Sequence, residues 1–367
     1  MPGLAVDMPV TDPSLSAAVS STDVPINAVP INSVPINAVA SRILKPAQWL
    51  PLQEQHAARV DVLTEQHRIR AGVGRPHPVE DFLFTYYSLR PAQLRRWYPG
   101  FGVGLAGADE RSDWRFHRRV EIPGLDGAVV VVDLPAFLRD RGKQLAFTTT
   151  LLSRTSAAPG QFGCFGLHEW AMVFEQSTSL RRHQQWPLRL GQDGTDQVVR
   201  DHQIKCSHFD AFRFFTPAAR PRNALQPSLD RRLDNEQPGC LHASMDVYKW
   251  AYKLMPVVPS DLLVDCFELA KTIRAFDMRA SPYDLSELGY QPVPIETPAG
   301  KAEYVAAQRG FAAAAGDLRR RLLATLTAVT DSSSSIEIGR PTAVFEEERA
   351  ADHDHGPDQT DDGGDAV

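Results

Sequence analysis

Residues 24–39 read VPINAVPINSVPINAV, a repeat with a proline in every unit, and no regular element tolerates that spacing. Each proline removes a backbone donor and clashes with a preceding helical turn, and three short units cannot build a solenoid. An extended, polyproline-like arm is expected. At the other end, residues 331–367 open on a serine run and hold eleven acids, two bases and few large apolar residues, the composition of a solvated tail. The two arms confine folding to one domain. The expected organisation is a disordered arm over 1–43, a single globular domain over 44–330 and a disordered acidic tail over 331–367.

The arms also distort the charge. The whole chain is at -6, but residues 1–40 contribute three acids and no base, which leaves the body from 41 to 330 with 31 acids and 37 bases. A mildly basic body suits a phosphate-bearing partner without demanding one. The arginine runs at 95–96, 118–119, 181–182, 231–232 and 319–321 are expected at the surface. No apolar run approaches the roughly 18 residues that a membrane span requires. The first 40 residues lack the basic and apolar regions of a secretory signal, so cytoplasmic residence with reduced thiols is expected.

Within the body, Trp49, Leu52, His56, Val60 and Leu63 recur at helical spacing over 46–70. Alternation over 114–122, then PGLDG and AVVVVDL, predicts a hairpin with one buried strand. Pro135 opens a helix to about Ser153. Between 162 and 216 the pieces LHEWAMVF, WPLRL, QVVRDHQIKC and FDAFRFF read as strands, and helices return over 240–254, 260–277 and 300–328. Clustered strands beside clustered helices predict an α+β fold, with a central antiparallel or mixed sheet flanked by helices. Gly102, Gly104 and Gly107 match G-x-G-x-x-G, but they follow RRWYP rather than a strand. A flexible loop is predicted there instead of a dinucleotide site.

Three short stretches carry the chemistry. Cys164, His168 and Glu169, then Cys206, His208 and Asp210, then Cys240, His242 and Asp246 each set a thiol beside an imidazole and a carboxylate, with three of the four cysteines used. Cys266 lies in an apolar helical pattern and is expected in the core. His242, Asp246, Lys249 and Lys253 share one helix face, which is either an exposed polar stripe or a set that fixes an imidazole tautomer. His208 and Asp210 alternate onto one face of an expected strand. The set allows acid-base work by the histidines and acids, a metal site using Cys164, Cys206 and Cys240, or a structural cluster. Upstream, Tyr86, Tyr87 and Trp97 stand among Arg90, Arg95 and Arg96, the mixture that stacks an extruded base and holds its phosphate. Asp277, Arg279 and Asp284 are expected to hold a turn, and Thr297 with Pro298 to begin a helix.

The runs HRIRAGVGRPHPVEDFLFTYYSLRPAQLRRW, CFGLHEWAMVF, CSHFDAFRFFTP, EQPGCLHASMDVYKWAYKL and DMRASPYDL resemble a bacterial family labelled 3-methyladenine DNA glycosylase, across about residues 66 to 312. The resemblance implies a hydrolase of DNA repair, an N-glycosidase that removes an alkylated base such as 3-methyladenine, with DNA as partner and no cofactor. The chain lacks the L-P-G-x-G hairpin of the helix-hairpin-helix glycosylases, so no catalytic residue transfers by motif. On residue chemistry, Asp246 or Asp210 serves as the carboxylate, His242 or His208 as its proton-transfer partner, and Tyr86, Tyr87 or Trp97 as stacking platform. Two alternatives are a zinc-dependent hydrolase of a small molecule using the Cys/His set, and a non-catalytic protein whose basic body binds nucleic acid or another partner.

Overall fold

Pro46 sits at the first position of α1 (Pro46–Gly72), where its missing amide costs nothing, and the Gln48 side chain accepts the Lys45 amide at 2.9 Å. The computed structural model describes residues 40–125, 127–177 and 185–338. Before α1 comes β1 (Arg42–Leu44), and after it two single turns, α2 (Phe82–Thr85) and α3 (Pro91–Leu94). Three strands follow: β2 (Val103–Ala106), β3 (His117–Glu121) and β4 (Ala128–Val132). The sheet order is β1-β2-β4-β3, with β1 parallel to β2 and the other pairs antiparallel. The predicted hairpin is β3–β4, paired from His117↔Val132 to Glu121↔Ala128.

The glycine-rich segment is not a loop. It forms β2, inside the sheet, because Gly104 lets the backbone pass close to β4: a Cβ there would lie 2.5 Å from Val129 Cγ1.

The chain then becomes helical, through α4 (Leu134–Ala157), α5 (Leu167–Ala171), α6 (Gly191–Asp201), α7 (Phe209–Phe212), α8 (Arg232–Asn235), α9 (Leu241–Lys253), α10 (Ser260–Arg279) and α11 (Pro298–Ile338). Asp133 caps α4 by accepting the Ala136 amide at 3.0 Å, and Thr297 Oγ1 accepts the Gly300 amide at 3.0 Å at the start of α11, as expected. The described residues are 56% helix and 7% strand, an α+β fold.

The strands expected between 162 and 216 are not formed. LHEWA is the single turn α5, QVVRD closes α6 and FDAF is α7; only Leu188 and Ile204 make isolated bridges, to Tyr283 and Asn223. All five residues of α5 are buried, so no alternation between faces could reveal its period. α11 runs past 328 and carries its backbone eight residues into the expected tail, while β1 begins inside the expected arm. Residues 1–39 and 339–367 of those arms, and Arg181–Arg182, lie outside the described residues.

The largest core lies among the helices. α9 packs on α10 and α11, and α4 on α11, around Leu151, Trp170, Val247, Tyr248, Leu263, Phe267, Leu322 and Leu326, all fully buried. Each such side chain contributes on the order of 1.5–3 kcal/mol. The sheet keeps two smaller apolar clusters and is tied to α1 through Trp49, whose indole donates to Ala106 O at 3.0 Å. At that junction Arg111, only 2% exposed, places its guanidinium 4.7, 5.5 and 4.8 Å from the rings of Trp49, Trp97 and Trp114.

Candidate active site

α9 is buried on nearly every side, so its polar stripe faces the interior rather than solvent. Asp246 is 2% exposed, His242 and Lys249 are half-buried, and Lys253 lies with its ammonium 5.8 Å from the Trp250 ring. The other two Cys/His stretches meet this face. After Cys164, Phe165 (φ 50°) and Gly166 (φ 70°) both take left-handed conformations, so the chain reverses and enters α5 with His168 returned to Cys164. A Cβ on Gly166 would also press on Tyr304 at 3.2 Å. His208 stands at the N-cap of α7 and Asp210 in its first turn, not on a strand.

The three imidazoles converge. The His168 and His242 ring centroids are 4.5 Å apart, edge to face, and His242 stacks on His208 at 5.3 Å. His168 Nε2 is 3.0 Å from Asp277 Oδ2 and its Nδ1 is 3.8 Å from Cys164 Sγ. Asp246 accepts from Tyr87 Oη at 2.8 Å and from Lys249 Nζ at 3.2 Å. Lys249 donates also to Asp210 at 2.9 Å, where Arg232 Nη2 joins at 2.8 Å. His208 lies between two carboxylates, with Nδ1 3.5 Å from Glu236 Oε1 and Nε2 3.6 Å from Asp246 Oδ2.

Burial and neighbouring charge split the protonation states. Burial pulls the His208 imidazole down to about 4, and burial with the His168 charge holds His242 well below its ordinary value, so both are neutral near pH 7. Burial also opposes charge on His168, but the adjoining Asp277 carboxylate outweighs it and lifts the imidazole well above its ordinary value. For Asp277 itself burial is likewise outweighed by His168, and the carboxyl sits at about 2. Asp210 is driven below the carboxylate range because Lys249 and Arg232 overcome its desolvation. Glu236, desolvated and beside the Asp246 charge, is pushed up to about 8.

Several of these partners were not anticipated. Asp277 is fully buried and bonds His168, while Arg279 donates to Gln291 O and Asp284 accepts from Ser286, so the three do not share a turn. Glu236 carried no motif. Arg232 and Arg319, expected at the surface, are buried at 8% and 1% exposure. Their positions within arginine runs hid them.

Of the expected site residues, Glu169 turns aside and pairs with Arg274 at 3.1 Å, tying α5 to α10. Tyr87 is buried with its hydroxyl spent on Asp246, and Trp97 belongs to the separate cluster under the sheet. Tyr86 keeps partial exposure, stacks on Phe82 at 5.0 Å and feels the charges of Asp246, Asp210 and Lys249. Cys206 is buried and Cys240 half-buried, and desolvation pushes both thiols above their ordinary range, so the start of α9 does not activate Cys240. Cys266 is in the core.

Among the described residues, two sets bring ligand atoms within 4.8 Å of one another: His168, His242 and Asp277, and His208, Asp210 and Asp246. Neither contains a cysteine. The charges within the cluster also close without a cation, since His168 offsets Asp277, Arg274 offsets Glu169, and Lys249 with Arg232 offset Asp210 with Asp246.

Comparison with protein-family models, curated proteins and solved structures gives no match. No helix among the described residues is long and apolar enough to cross a membrane.

Proposed function

We propose that this cluster is the active centre of an acid-base hydrolase, an N-glycosidase that removes an alkylated base from DNA. The observation that supports it is the pair of carboxyl groups flanking Arg232. Asp210 is held ionised, and Glu236, at about 8, holds its proton near neutral pH. Groups of one kind whose surroundings drive their protonation states apart are how a site supplies both acid and base at one pH.

In this reading Asp210, 11% exposed at its side chain, meets the sugar as the C1′–N bond lengthens and stabilises the positive charge that develops there. An N3-alkylated purine carries positive charge while attached, takes the electrons of the breaking C1′–N bond and departs as a neutral base, so it needs no protonation. His242, neutral and half-buried, takes the proton of the water that attacks C1′. Tyr86, half-buried and stacked on Phe82, is the ring that meets the flipped base, and Arg213, beside Asp210 at 3.9 Å, lies where a phosphate would pass. Asp246, Tyr87 and Lys249 form the floor that positions Asp210. The substrate is chosen on the resemblance of the sequence runs alone.

The test is release of free 3-methyladenine from methylated DNA, with Asp210→Asn losing at least about 100-fold in rate. Absence of release from every alkylated DNA offered to the wild type would overturn the reading. Stoichiometric zinc in the purified protein would transfer it to the metal-dependent hydrolase, for which the two His/Asp sets supply the ligands.

A further inference from the structure

Three side chains on the far side of His242 form a chain that the glycosidase reading leaves unused. Cys164 is partly exposed, with Sγ 3.8 Å from His168 Nδ1; His168, 2% exposed, presents its other nitrogen to Asp277 Oδ2 at 3.0 Å; and Asp277 is fully buried. The second Asp277 oxygen faces the Tyr304 hydroxyl at 3.5 Å, so the carboxylate is fixed from both sides. Exposure falls in the order thiol, imidazole, carboxylate. That order is what a nucleophile, its base and the group orienting that base require.

The backbone serves the same end. The left-handed pair Phe165 and Gly166 returns His168 to Cys164, and Trp170 locks α5 onto the end of α10 by donating to Ala280 O at 2.9 Å. A structural cysteine needs none of this. Cys206 and Cys266 are buried and Cys240 is partly exposed, desolvation works against ionisation of all three, and only Cys164 combines exposure with a hydrogen-bonded imidazole.

We propose that Cys164 is the nucleophile of a cysteine hydrolase centre acting on an acyl carbonyl, with His168 as acid and base and Asp277 as its positioning residue. The Cys164 sulfur, its proton resting on His168, attacks the carbonyl carbon and forms a C–S bond. The bond from that carbon to the leaving group breaks, and the leaving group takes the proton from His168. Neutral His168 then draws a proton from water, whose oxygen attacks the thioester. The C–S bond breaks and the free acid departs, which restores the pair. The Lys205 side chain passes Gly163 and the Lys301 ammonium is 5.9 Å from the Phe165 ring, so two cations on the residues flanking Cys164 favour an acyl compound that carries an anionic group. The centre uses neither Asp210 nor Glu236, though His168 adjoins the His242 ring at 4.5 Å.

The test is p-nitrophenyl acetate added to the full chain at pH 7. A burst of one equivalent of nitrophenol with an acetyl group on Cys164, located by peptide mass spectrometry, is expected. Asp277→Asn should slow that burst at least about 10-fold while leaving its stoichiometry unchanged, a split that a loss of folded protein does not give. The wild type alone supplies a second readout. Iodoacetamide should modify Cys164 at least about 10-fold faster than a thiol of the unfolded chain. No burst, or alkylation of Cys164 at the unfolded rate, overturns the proposal. Base release measured on the same preparation reports separately on the glycosidase.

Discussion

The hydroxyl of Tyr87 donates at 2.8 Å to the carboxylate of Asp246, 159 positions later in the chain, and both side chains are buried. Tyr87 therefore does what a buried ion needs, offering a fixed donor where water is excluded. Tyr87→Phe keeps the ring and its edge contacts with Tyr86 and Tyr248 but strips one donor from the carboxylate. A loss of about 1–3 kcal/mol in urea unfolding at pH 7 is expected. An unchanged midpoint would show that Lys249 alone satisfies Asp246.

Glu236 gives a signed pH dependence. Its carboxyl sits at about 8 in the folded chain against an ordinary 4.5, so between those values the folded chain keeps a proton that the unfolded chain releases. The associated stability is complete below pH 4.5 and is lost as pH rises through 8. Glu236→Gln stays neutral throughout. It should match the wild type at pH 4 and exceed it at pH 9 by on the order of 2 kcal/mol or more, measured by urea unfolding at both pH values. Parallel curves for the two proteins would contradict the assignment.

Lys249 bridges Asp210 and Asp246. Lys249→Met fills the volume but leaves two carboxylates facing each other with Arg232 as the nearest compensation for one of them. The cost expected from thermal unfolding is about 3–5 kcal/mol, the range for breaking a buried pair from one side. A double replacement that also neutralises Asp246, Lys249→Met with Asp246→Asn, should recover part of it. Equal losses in the single and double variants would deny the coupling.

Gly104 marks where β2 passes β4. Gly104→Ala sets a methyl 2.5 Å from Val129 Cγ1, in a cluster that has no room for it. A loss of about 1–3 kcal/mol is expected, partly rescued by Val129→Ala. No rescue in the double variant would place the cost elsewhere.

The long elements were readable because their apolar residues repeat on one face: α1 from Trp49, His56 and Val60, and α9 from Ala243, Val247 and Trp250. The short ones were not. α5 and α7 are single turns held by tertiary contacts, and five residues carry too little period to separate turn from strand. α6 did hold the signal, with Thr195, Val198 and Val199 buried at helical spacing, but the Val-Val pair read as strand.

The site divides in the same way. His168, His208, His242, Asp210 and Asp246 drew notice because each lies near a cysteine in sequence, and the fold brings them together. Asp277 and Glu236 lie beside no such marker. Asp277 ends an apolar helix and meets His168 across 109 positions, a pairing fixed by how α5 docks on α10 rather than by any local pattern.

Three of the six tryptophans crowd around the Arg111 guanidinium, at the seam between α1 and the sheet. Trp170 and Trp250 sit instead in the helical core. Ultraviolet emission from this protein is therefore weighted toward the seam, while circular dichroism is weighted toward the helices around the histidines. A denaturation in which the two signals part company would show the small sheet peeling away before the helical half melts.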